Sequence, residues 1–66
     1  MAIMKSVEIM SDSAKSFEDA IENGVERTAK SVDNIRSAYV NSQSVVVKDG
    51  KVTAFRVNMN ITFEVK

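Results

Sequence analysis

The chain contains no cysteine, no histidine, no tryptophan and no proline among its 66 residues. Without cysteine there is no disulfide framework, and without cysteine or histidine the usual zinc ligands are missing. The same absences exclude a Ser-His-Asp or Cys-His nucleophilic centre. There are only two glycines, and no glycine-rich stretch resembles a phosphate-cradling loop. Charge of one sign is also lacking. Nine basic and nine acidic residues cancel, so no basic stripe exists to follow a nucleic-acid backbone. Apolar runs are too short to cross a bilayer, and the first residues do not form the apolar core of a signal peptide. A cytoplasmic protein is the default expectation.

Length then sets an energetic bound. One domain over residues 1–66 is expected, near the lower limit for independent folding. Ordering that many residues costs on the order of 100 kcal/mol, and a core of this size offsets little more. Small domains add disulfides, a metal or partner subunits, and with the first two disfavoured self-association is the remaining device.

What the sequence does contain is clearest between Thr53 and Val65. Phe55, Val57, Met59, Ile61, Phe63 and Val65 alternate with Ala54, Arg56, Asn58, Asn60, Thr62 and Glu64. Side chains of a strand point to opposite faces in turn, so this is one long strand with an apolar and a polar face. Met1–Met10 reads as a shorter strand. It carries Ile3, Val7 and Ile9 on one parity, interrupted by Lys5, with Met4, Ser6, Glu8 and Met10 on the other. Ser11-Asp12-Ser13 is a helix-entry cluster, with Ser13 the best N-cap candidate and Glu18 and Asp19 suited to the positive end of the helix dipole.

From Ala14 the apolar spacing changes to three and four, through Phe17, Ala20, Ile21, Val25, Ala29, Val32 and Ile35. A helix ending at Asp33-Asn34 is expected, with Gly24 on its apolar stripe for close packing against a sheet. Arg36–Val47 returns to alternation. Ala38, Val40 and Val46 fall on one face, and Ser37, Tyr39, Asn41, Gln43, Val45 and Val47 on the other. Asn41–Ser44 is polar enough to suggest a bulge. Asp49-Gly50 then predicts a tight hairpin into the last strand. The order is β-α-β-β, an α+β fold with a three-stranded antiparallel sheet packed around one helix. The uncovered sheet face and open strand edges again point to assembly.

Few residues carry chemistry. Glu18, Glu22 and Glu26 read as a solvated helix face, and no acidic cluster has the spacing of a calcium loop. Arg56 is the one charge in the middle of the long strand's polar face. It is either half of a salt bridge or a ligand contact through its planar fork. Tyr39 is the one aromatic on a polar face, serving subunit packing or stacking. No acid–base pair or nucleophile can be assembled, so the chain is read as a non-enzyme.

The combination of Val7-Glu8-Ile9, SAKSFEDAI from Ser13, VDNIR from Val32 and DGKVTAFRVNMNITFEV from Asp49 resembles the dodecin family over essentially the whole chain. The resemblance implies a hollow homo-oligomer, most simply a dodecamer. It further implies flavins bound between paired subunits, stacked on tryptophan and hydrogen-bonded by glutamine. The stacking position falls at Ser37 and the glutamine position at Arg56, with Tyr39 one pleat repeat away as a substitute aromatic. Two expectations follow. One is a non-catalytic shell that binds or sequesters FMN, another flavin or a related flat anionic ligand through Ser37, Tyr39 and Arg56. The other is a structural shell whose flavin site has degenerated.

Overall fold

A computed structural model describes residues 1–66. The elements run β1 (Ile3–Ser13), α1 (Phe17–Thr28), β2 (Ile35–Lys48) and β3 (Lys51–Val65). The three strands form one antiparallel sheet in the order β1-β3-β2, so the long alternating strand is the central one. The expected β-α-β-β fold is the one observed.

The alternation of β3 sets the two faces. Val57, Met59 and Ile61 are completely buried, and with Ala20 of α1 they make up the core. Ile9, Phe17, Ile21, Val25, Ile35 and Val40 pack around it. Phe17 meets Phe55 edge to face at a centroid distance of 5.2 Å, a favourable geometry for two aromatic quadrupoles. The helix lies mainly over β1 and β3, so most of β2 and the tip of its hairpin extend beyond its cover. Val45, Val47 and Val52 remain exposed there. The molecule is accordingly long and thin, 50 × 20 × 14 Å.

Gly24 is buried where α1 crosses the sheet. A Cβ at this position would lie 2.5 Å from Met59 Cε, 3.1 Å from Ser11 Cβ and 3.3 Å from Ile9 Cδ1. The missing side chain is therefore what lets helix and sheet approach, as its place on the apolar stripe suggests. The other glycine serves the turn. Asp49 and Gly50 have φ of 52° and 76°, the double left-handed conformation of a primed hairpin.

Four expectations are corrected. β1 continues past Met10 to Ser13, because Ser11, Asp12 and Ser13 pair with Val57, Arg56 and Phe55. The N-cap is Ser16, whose side chain accepts from the Asp19 backbone N–H. Ser13 instead braces the preceding turn. Its Oγ accepts from the N–H of Lys15 and donates to Asp19 Oδ2 at 2.6 Å. The helix stops at Thr28, although the apolar spacing continues through Val32 and Ile35. Asn34, at φ 63°, turns the chain, and its carbonyl accepts from the Glu64 N–H on β3. Finally, the expected bulge is present, with the β2 register slipping between Val40 and Ser42, but the faces expected beyond it are exchanged. That extra residue inverts the parity beyond it. Val45 now opposes Phe55 on the helix side, and Val46 opposes Ala54 on the open side.

Candidate functional site

The face of the sheet away from α1 is built by the even residues of β3 and their neighbours. Reading across the sheet, Ser6, Thr62 and Ser37 form one row, and Glu8, Asn60 and Tyr39 the next. Met10, Asn58 and Ser42 follow, then Asp12, Arg56 and Ser44. This surface is largely polar, with Met4 and Met10 exposed on it, and no element of the chain covers it. All three candidate residues lie on it. Ser37 and Tyr39 are close neighbours, and Tyr39 is 71 % exposed. Arg56 is four residues along β3 from the partner of Tyr39, a separation of about 13 Å at the usual strand rise.

Arg56 already has a partner within the chain. Its Nε donates to Asp12 Oδ1 at 2.7 Å and a terminal nitrogen donates to Asp12 Oδ2 at 3.0 Å. This two-pronged geometry is the strongest form of an arginine–carboxylate contact. The hydrogen bond from Arg56 holds the Asp12 carboxyl below its ordinary value, assisted by the guanidinium charge and opposed by partial desolvation. The same bond raises the Arg56 pKa further. Both side chains keep 44 % of their exposure, so the pair is locally neutral and still reachable from solvent. Arg56 retains further N–H groups after serving Asp12.

A second feature escapes a reading of the strands one at a time. At the bulge, Asn41 Nδ2 donates to Asn58 Oδ1 at 3.0 Å and also to Asn60 Oδ1. Three carboxamides thus form a row beside Tyr39. Strand alternation puts Asn58 and Asn60 on one face, but joining them to Asn41 requires the bulge geometry. Asp12 as the partner of Arg56 likewise requires the β1–β3 register. No group of three or more acidic side chains converges to hold a metal ion, and no helix is long and apolar enough to cross a membrane.

The profile of the Dodecin family matches residues 3–66. The chain belongs to the dodecin family. Among curated dodecins it is similar to the calcium dodecin of Mycobacterium tuberculosis, at 34 % identity over 67 residues covering 100 % of this chain and 93 % of the relative. The crystal structure of that calcium dodecin, described as having a novel calcium-binding site, superposes with a TM-score of 0.84. In that comparison identity is 32 %, with 97 % of this chain and 91 % of the other covered. Dodecin from Streptomyces davaonensis matches with a TM-score of 0.94 over 98 % of this chain and 96 % of that one. At 22 % identity this second likeness establishes the shared dodecin fold and nothing finer.

Proposed function

We propose that the chain is a non-catalytic subunit of a closed homo-oligomer, most simply a dodecamer, whose open sheet faces form the ligand-binding surface. The observation that carries the assembly is the imbalance of burial. Four apolar side chains form the whole buried core, while ten large hydrophobic residues remain exposed, including Val45, Val47 and Val52 at the hairpin tip. With neither a disulfide nor a metal cluster to compensate, contact between subunits is the remaining source of stability. A cytoplasmic setting fits this reading.

The ligand half of the proposal is a flavin or related flat anionic molecule such as FMN. Its ring lies against Tyr39 near Ser37, and its charged arm reaches Arg56. The exposed ring of Tyr39 on the open sheet face supports stacking, worth about 1–3 kcal/mol per ring. A second reading is a shell that binds no flavin. It is favoured by Ser37, which has no aromatic surface, and by the Asp12 carboxylate already occupying two donors of Arg56. Calcium is the other ion to titrate, given the likeness to a calcium dodecin. One chain offers no carboxylate cluster, so such a site draws carboxylates from several copies or combines a few with backbone carbonyls and water.

Light scattering at micromolar protein tests the assembly, and a particle of 7.3 kDa refutes it. Fluorescence titration with FMN, riboflavin and calcium then tests the ligand. Quenching of FMN supports the first reading, and flavin emission unchanged at high protein concentration supports the empty shell.

A further inference from the structure

Asn23 and Gly24 form the chain's one Asn-Gly step. An asparagine carboxamide can close a five-membered ring with the next backbone nitrogen. Glycine leaves that nitrogen unhindered and its backbone free to reach the geometry of attack. The structure places this step inside α1, and three features hold it inert. In the helical ladder the Gly24 N–H is committed to the carbonyl four residues back. Helical ψ at Asn23 keeps the Gly24 nitrogen out of line with the side-chain carbon. Asn23 Nδ2 also donates to Asp19 Oδ2 at 3.0 Å, which draws the carboxamide back along the helix. Water is not excluded. Asn23 is exposed, and with Asp12 and Arg27 it lines a cleft of about 630 Å³ between β1 and α1. Local geometry, and not dryness, is therefore the protection.

We infer that Asn23-Gly24 is an intramolecular deamidation site, closed by α1 in the folded chain and opened by unfolding, whose product blocks the return to the fold. The Gly24 nitrogen attacks Asn23 Cγ and gives up its proton, ammonia departs, and a succinimide remains. Water then opens either ring carbonyl, leaving aspartate or isoaspartate at position 23. One water enters, one ammonia leaves, and nothing is oxidised or reduced. The isoaspartate product routes the main chain through the side-chain methylene, which lengthens the backbone by one carbon inside the helix. The packing has no room for that shift, since even a Cβ at Gly24 would lie 2.5 Å from Met59 Cε and 3.1 Å from Ser11 Cβ. The aspartate product is milder. It replaces the donor to Asp19 with a second carboxylate one turn away. Time spent unfolded is thus recorded covalently, a chemical route to irreversible unfolding. Asp49-Gly50 has the same following residue but carries a carboxylate, a poorer electrophile than an amide. The site is independent of any ligand on the open sheet face.

The test incubates the full chain at one mildly alkaline pH, folded in buffer and unfolded in guanidinium chloride. Peptide mass spectrometry follows deamidation at position 23, and fragmentation distinguishes isoaspartate from aspartate. Deamidation is expected to be at least about a hundredfold faster in the denaturant, because folded chains are open only in a fraction of about 10⁻³ or less. After the denaturant is removed, chains with isoaspartate at position 23 should be missing from the folded fraction on size exclusion. Equal rates in the two conditions overturn the claim that α1 closes the site. Isoaspartate recovered in the folded fraction at its full proportion overturns the block on refolding. Neither result requires a variant to fold. Asn23→Gln, whose longer side chain closes a ring far more slowly, should keep its refolding yield through the same incubation. A loss equal to that of the wild type overturns the assignment to Asn23.

Discussion

Replacing Gly24 by alanine sets helix propensity directly against packing. In an exposed helix interior alanine is favoured over glycine by about 1 kcal/mol. Here the added methyl would sit 2.5 Å from Met59 Cε and 3.1 Å from Ser11 Cβ. Met59 is fully buried, so its terminal methyl has no solvent to swing into. Ser11 Cβ is fixed by the backbone of β1. Overpacking of this kind costs about 1–3 kcal/mol. The expected net effect is a destabilisation of about 1 kcal/mol, or roughly 4–8 °C in Tm for a domain of this size. The decisive measurement is a double-mutant cycle with Met59→Leu, a swap of similar volume that removes the offending terminal methyl. Urea unfolding at one fixed protein concentration keeps the contribution of assembly constant. In the Met59→Leu background, Gly24→Ala should become neutral or stabilising, giving a coupling of about 0.5–3 kcal/mol. Equal costs in both backgrounds, or a stabilising Gly24→Ala in the wild type, would refute the packing argument.

Ser13→Ala should be more damaging than Ser16→Ala, by urea midpoint. The first removes a nearly buried hydroxyl with three partners, at about 1–3 kcal/mol, and the second a single N-cap bond worth about 1 kcal/mol. Asp12 has its carboxyl pKa lowered by Arg56 in the folded chain. The pair's contribution is therefore complete above the unfolded carboxylate value and is lost as pH falls through the lowered folded value. Asp12→Asn should flatten the acid limb of the stability–pH curve, and an unchanged limb would show the pair to be inert. The same substitution releases the Arg56 fork, so the preference for FMN over riboflavin should rise in titration. No change in that ratio would remove Arg56 from the ligand's arm.

Much of the fold was legible because β3 states it twice, once in its period of two and once in its length. The single surviving cover for its apolar face was the segment with period three to four, and Asp49-Gly50 fixed the hairpin. The errors came where two local signals compete. Val32 and Ile35 keep the helical spacing, but the helix has ended by Thr28, and Ile35 packs only after a turn at Asn34 that periodicity alone does not register. Ser13 and Ser16 are both acceptable caps, and the choice depends on β1 extending to Ser13. Val45 and Val46 exchange faces because the bulge near Asn41 adds one residue to the count. The candidate face was legible as a set, since alternation puts Ser37 and Tyr39 of β2 and Arg56 of β3 on the same polar face of paired strands. Its wiring was not. Asp12 meets Arg56 across a sequence gap of 44 residues, a contact set by register that no local pattern encodes.

The strand order has a consequence for how the chain acquires its structure. Both outer strands bond to β3 and not to each other, and β3 is the most C-terminal of the three. Ile3 waits for Val65, nearly the greatest sequence separation the chain permits. Until the last strand is available, β1 and α1 have no hydrogen-bonded sheet to join. Such non-local pairing makes folding slow relative to a helical chain of equal length. During synthesis the first half must stay unfolded or shielded, and any C-terminal truncation that removes β3 leaves no partial domain behind.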